Sequence, residues 1–134
     1  MRIKSVAVLG CGVIGCSWAE AFLSAGLQVK AWDPDQGVMS RLKKLQSAYP
    51  GIALIYCETP EEAVARAEFV QESGPESLAL KHSLYQRIAP MVEVDCIVAS
   101  STSTLPPSQL QKGSAFADRI VIGHPFNPPH LLPL

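Results

Sequence analysis

At 134 residues, 48% of them apolar and 17% charged, the chain can build one domain around a real core and lacks the make-up of a disordered segment. A formal net charge of −1 gives no footing for nucleic acid or an anionic membrane surface. No apolar run approaches the roughly 18 residues of a membrane span, and the stretch Val6 to Leu9 is too short for a secretory signal.

Val6 to Leu9 is continuously apolar and β-rich, as expected of a strand buried on both faces. The glycine-rich turn GCGVIG follows, then a helix from about Gly15 to Ala25 that Gly26 ends in the left-handed conformation. Gln28 to Trp32 is the second strand, stopping at Asp33-Pro34. A helix from about Pro34 to Ser47 leads to the breaker Tyr49-Pro50-Gly51, and Ile52 to Tyr56 is the third strand. Thr59-Pro60-Glu61-Glu62 is a capping box with proline at the first helical position, so a short helix runs to about Ala67. Glu68 to Gln71 is a strand, Ser77 to Ile88 a helix, Asp95 to Ala99 a strand, Pro107 to Gln111 a short helix, and Arg119 to Gly123 the sixth strand. Strands and helices alternate with short connections. That pattern predicts an α/β Rossmann-type, doubly wound parallel sheet with helices on both faces, and one domain over residues 1–134.

The turn Gly10-x-Gly12-x-x-Gly15 stands where the chemistry needs it, after a buried strand and before an amphipathic helix. Gly10 makes the tight turn, Gly12 admits a pyrophosphate close to the backbone, and Gly15 lets helix and strand pack. The amides of this turn, through Val13 and Ile14, then hold phosphate at the positive end of the helix. Asp33 ends the second strand at about the 20-residue separation of an acid that accepts from the adenosine ribose hydroxyls. No arginine follows at once, only Pro34 and Asp35, so NAD is expected over NADP. A ligand-free glycine turn is the alternative.

Cys11, Cys16, Cys57 and Cys96 form no CxxC, and Cys11 and Cys16 lack a histidine at metal-ligand spacing. They are read as free thiols in a reducing, cytoplasmic setting, with no metal bound.

Three blocks carry a family resemblance: AEFVQESGPESLALK, ASSTSTL and GHPFNPP. Through them the chain resembles the NAD-binding domain of the 3-hydroxyacyl-CoA dehydrogenases, and most closely its carnitine and lambda-crystallin/gulonate dehydrogenase branches. The resemblance implies that His124 is the general base that takes a proton from a secondary alcohol while hydride passes to nicotinamide, work that suits an imidazole at neutral pH. It places Ser103 on the substrate oxygen and near the nicotinamide, and gives Asn127 contact with both cofactor and site. Glu76 and Lys81 match positions near the nicotinamide ribose, and Ser73 falls in the loop after the fourth strand. On the residues alone, Lys81 reads equally as a solvated helix charge, and Ser103 as part of a strand-end cap or turn. His82 and His130 match no role and are read as surface or loop residues.

Two departures shape the expectation. The glutamate that orients the family's histidine, and the helical C-terminal domain that closes the substrate site and forms the homodimer, would lie past Leu134. The end at Leu134 is therefore read as a fragment boundary, the chain alone as inactive, and Leu131, Leu132 and Leu134 as apolar surface left uncovered. The stretch between Asp33 and the fourth strand is also short, which favours a small polar 3-hydroxy compound over an acyl-CoA. A non-catalytic NAD(H) sensor or crystallin-like structural role is the second reading. The retained His124 and Ser103 speak against it.

Overall fold

A parallel sheet of six strands in the order β3-β2-β1-β4-β5-β6 carries the chain, with the switch point between β1 and β4. The computed structural model describes residues 3–123. Its strands are β1 Ser5–Leu9, β2 Gln28–Trp32, β3 Leu54–Tyr56, β4 Phe69–Glu72, β5 Ile97–Ser100 and β6 Ile120–Ile122. The helices between them are α1 Val13–Ser24, α2 Met39–Ala48, α3 Pro60–Val64, α4 Leu78–Ile88 and α5 Pro107–Gln111. Every pairing is parallel.

Because the central strands are buried on both faces, their side chains feed two cores. Val6 and Val8 meet Trp18, Phe22 and Leu42 of α1 and α2 on one face, where Trp18 stacks on Phe22 at 5.7 Å. Ala7 and Leu9 face Val64, Tyr85, Ile88 and Phe116 on the other. The continuous apolar run of β1 thus has a use at every position, which a strict alternation would not. All strands point their C-terminal ends to one edge, where ligands of such sheets bind.

Local chemistry explains where the elements start and stop. Gly26, at φ +83°, closes α1 with its N–H on the Leu23 carbonyl, as expected. The Thr59 hydroxyl accepts from the Glu62 N–H at 3.1 Å, and Ser77 caps α4 in the same way through Leu80. Some boundaries differ from the sequence reading. The helix expected from Pro34 begins as an Asx turn and a short 3₁₀ segment, Gln36–Val38, and is α-helical only from Met39. The cause is two carboxylates that capture the amides ahead of the helix: Asp33 accepts from Asp35 N–H and Asp35 from Gly37 N–H. Strand β3 starts at Leu54 because Ile52 folds back on the Tyr49 carbonyl. Strand β4 starts at Phe69, since the Glu68 carboxylate turns aside to take the Lys4 and Ser5 amides. All four cysteines are free thiols.

Candidate functional site

The glycine turn is built as its spacing demands. Gly10 has φ +97°, and a Cβ there would lie 2.7 Å from the Ser73 backbone. At Gly15 a Cβ would sit 1.7 Å from the Gly10 carbonyl oxygen, so α1 can approach β1 only without one. Gly12 is different, for nothing lies within 4 Å of where its Cβ would be. It is the N-cap of α1 and supplies no side-chain acceptor, and the first turn carries no acid. The helix therefore presents N-terminal amides and a positive dipole end to open space. That is the environment a pyrophosphate requires.

Beside this turn is a cavity of about 540 Å³. Gly10, Gly12, Asp33 and Ser73 border it together with Trp32, Leu84 and Arg87. Asp33 is held from both sides. One oxygen accepts from the Cys11 N–H at 2.7 Å and the other from the Asp35 N–H at 2.8 Å. Each oxygen keeps a lone pair for a diol, so the carboxylate is aimed before any ligand arrives. Arg87 lies over the Trp32 ring at 5.9 Å and pairs with Glu61 at 3.0 Å. From α2, Arg41 reaches the Cys11 carbonyl at 3.3 Å. Burial is the main cause that pushes the Cys11 thiol up to about 12, with Cys16 and Asp33 adding to it, so this thiol is not a nucleophile. The uncapped helix, the open Gly12 and the aimed Asp33 fit a dinucleotide.

Across the switch point the edge is made of side chains. Glu76 draws in the loop after β5: its Oε2 accepts from the Thr104 hydroxyl at 2.7 Å, the Thr102 hydroxyl at 2.9 Å, and the N–H groups of Ser103 and Thr104 at 3.2 Å each. Partial burial raises its pKa, but these bonds and the Lys81 charge outweigh that and hold the carboxyl down to about 2. Glu76 and Ser103, given separate roles by the resemblance, are thus in direct contact.

Lys81 corrects one reading, since it is no solvated helix charge. It is 2% exposed, and its ammonium lies 2.6 Å from Glu72, which is fully buried. The same carboxylate accepts from Tyr85 and Ser100 hydroxyls at 2.7 Å each and from the Gly74 N–H at 2.8 Å. A charge so deeply enclosed persists only when paired and fully hydrogen-bonded, and here it is. The network pins the loop that carries Ser73 and Glu76. The sequence reading missed Glu72, Tyr85 and Ser100, although a signal existed: Leu78, Lys81, Tyr85 and Ile88 form one helical stripe, and a lysine in an apolar stripe needs a buried acid.

Of the predicted site residues, Gly10, Gly12, Asp33 and Ser73 share the cavity wall. Val13, Ile14 and Gly15 form the first turn of α1 beside it. Glu76, Ser103 and Lys81 belong to the side-chain networks across the edge. His82 sits on α4 and bonds the Gln109 carbonyl at 2.6 Å. The predicted base His124, Asn127 and His130, together with the C-terminal leucines, lie outside the described residues. Gly123, the last described, leaves β6 at the same edge, with its N–H on the Ser100 carbonyl at 2.8 Å. Among the described residues no cluster of histidine, cysteine or acid could hold a metal, and no helix is long and apolar enough to cross a membrane.

Residues 5–134 match the family described as 3-hydroxyacyl-CoA dehydrogenase, NAD binding domain. The L-carnitine dehydrogenases of Streptomyces coelicolor and Pseudomonas putida are 43% and 44% identical to this chain, each over 99% of it and 46% of their own length. The chain thus spans about half the length of the curated relatives it matches. Among solved structures, the NAD⁺-dependent dismutase 5-formyl-3-hydroxy-2-methylpyridine 4-carboxylic acid 5-dehydrogenase superposes with a TM-score of 0.86 at 29% identity, over 98% of this chain and 47% of that one.

Proposed function

The chain belongs to the 3-hydroxyacyl-CoA dehydrogenase family as its NAD-binding domain, and from that premise we propose that it is the cofactor half of a dehydrogenase acting on the secondary alcohol of a small polar 3-hydroxy acid, of the carnitine type. The observation that carries the reading is the uncapped N-terminus of α1 opening on a cavity rimmed by Asp33. The 43–44% identity to carnitine dehydrogenases over nearly the whole chain supports the substrate class. Bound NAD supplies the hydride acceptor. The amides of Gly12, Val13 and Ile14 hold its phosphates, and Asp33 accepts from its adenosine ribose. Ser73, Glu76 and Lys81 shape the far end, Lys81 through the loop that Glu72 pins. Ser103 and Asn127 fix the substrate oxygen, and His124 takes the proton from the alcohol, its positive charge then facing the developing carbonyl. The free thiols fit a reducing, cytoplasmic setting, and the complete protein works as a homodimer.

The test is turnover of the complete gene product with NAD and L-carnitine, gulonate or 3-hydroxybutyryl-CoA. We expect His124→Ala to lower kcat about 10² to 10⁴ fold, as for other lost general bases, with NADH affinity near wild type. The 134 residues alone should bind NADH and turn over little or nothing. NADH binding without turnover of any 3-hydroxy substrate by the complete product would replace this reading with the sensor one.

A further inference from the structure

Two serine hydroxyls meet beside the switch point. Ser73 is the first residue past β4 and Ser101 the first past β5, and their Oγ atoms lie 2.7 Å apart. Ser73 is also fixed against the glycine turn. Its N–H donates to the Leu9 carbonyl at 2.7 Å, and its Cβ lies 3.6 Å from where a Cβ on Gly15 would be. It therefore has the first turn of α1 on one side, the loop after β5 on the other, and the cavity in front of it. Ser101 has a second neighbour in Gln71, the third residue of β4, which is fully buried. The Gln71 Nε2 lies 2.8 Å from Ser101 Oγ and 3.2 Å from the Gly123 carbonyl oxygen. That carbonyl can only accept, which sets the NH₂ group on its side. An NH₂ group has two protons and accepts nothing, so with one on Gly123 the other goes to Ser101.

We propose that Gln71 and Ser101 are positioning residues that set the direction in which the Ser73 hydroxyl donates, an inference that rests on the cofactor reading above. Ser101 accepts from the amide and gives its own proton to Ser73 Oγ. Ser73 is then the acceptor of the pair, and its proton turns to the cavity that it borders. The chain runs one way, from a buried amide to the cofactor wall, and each bond in such a chain strengthens the next. Without the amide, nothing decides which of the two serines donates. A dinucleotide bound across the switch point runs from Asp33, over the amides of α1, to the β4 side. The part that passes Ser73 is the ribose–phosphate chain beyond the adenosine half, which offers acceptor oxygens and no donor but the ribose hydroxyls. A hydroxyl already aimed at such an oxygen loses little freedom when it arrives, and that saving appears as affinity.

The test uses the complete gene product and the variants Ser73→Ala, Ser101→Ala and Gln71→Leu, alone and with the last two each combined with the first. NADH affinity is read from nucleotide fluorescence, ADP-ribose and AMP affinities from displacement of NADH, and the melting temperature is taken for each protein. Ser73→Ala should weaken NADH and ADP-ribose roughly three- to ten-fold, the loss of one hydrogen bond. Ser101→Ala and Gln71→Leu should weaken both roughly two- to five-fold, and AMP should stay within about twofold of wild type throughout, because it lacks the chain that reaches Ser73. In the Ser73→Ala background neither should weaken binding further, since both act through that hydroxyl. Should Gln71→Leu lower the melting temperature, Ser101→Ala carries the same test, since it removes one atom from a half-buried side chain. Unchanged NADH affinity in Ser73→Ala, equal losses for AMP and NADH, a loss for NADH without one for ADP-ribose, or losses that multiply in the double variants would each overturn the inference. A wild-type protein that does not bind NADH would instead overturn the cofactor reading, so the two failures are distinct.

Discussion

The two halves of the sheet's C-terminal edge are built by different means. Over β1 and β2 the site is backbone: an uncapped helix, a glycine with open space beside it, and one carboxylate aimed by two amides. Over β4, β5 and β6 it is side chain upon side chain, with Glu72, Glu76 and Gln71 each gathering several partners. A backbone site needs little support because the helix that builds it is already paid for by packing. A side-chain site is exposed to the loss of any one member. The second half should therefore be the fragile one in stability, and the first the fragile one in affinity.

The largest effect should come from the buried pair. Lys81→Met leaves the Glu72 carboxylate enclosed without its cation, and removing one partner of such a pair typically costs about 3 to 5 kcal/mol. Urea unfolding of this chain measures it directly. The double variant Glu72→Gln with Lys81→Met should regain much of the loss, because no buried charge then remains. A single variant within about 1 kcal/mol of wild type would show that the network does not hold a charge worth pairing.

This contrast also explains what could be read from the sequence. The glycine turn and Asp33 were legible because the geometry admits few residues: a Cβ at Gly10 or Gly15 would strike backbone. The parallel sheet followed from alternation, and Thr59 announced its helix by chemistry confined to a few residues. The networks were not legible in this way. Glu72 meets Ser100 only because β4 and β5 pair in that register, and Gln71 reaches Gly123 only because Ala99 between them is small. Such partners are set by tertiary register, which no local pattern carries. The start of α2 was misjudged for a related reason, since Asp33 and Asp35 competed for the amides that the helix would have used.

A smaller effect is expected on the backbone side, and in affinity. Asp33→Asn keeps the shape and an acceptor for a backbone amide but removes the charge. A hydrogen bond to a charged group contributes about 1.5 to 3 kcal/mol, so the NADH dissociation constant should rise roughly ten-fold or more. NADPH should gain relative to NADH, both because a carboxylate no longer repels its phosphate and because Arg41 lies near on the Cys11 carbonyl. Titration of the chain with both nucleotides gives the ratio, and an unchanged ratio would remove Asp33 from the ribose. Stability should fall by less than in Lys81→Met, since only one of the two backbone N–H bonds to Asp33 is lost.

The smallest effect separates Glu76 from its buried neighbour Glu72 by pH. Glu76 has its pKa lowered from an ordinary 4.5 to about 2, because bonds from Thr102, Thr104 and Ser103 and the Lys81 charge overcome the cost of partial burial. A depressed acid stabilises the fold above its unfolded pKa, and that contribution drains away as pH falls through about 4.5 towards 2. Glu76 is exposed, so solvent screening should keep its share below about 1 kcal/mol. Comparing wild type with Glu76→Gln between pH 6 and 2 should show the two curves converge on acidification, since the variant has no such charge to lose. Glu61 and Glu68, whose pKa values are also lowered, remain in both proteins and cancel in the difference. Parallel curves would mean that the carboxylate does not hold the 102–104 loop, and the place proposed for Ser103 would then lack its anchor.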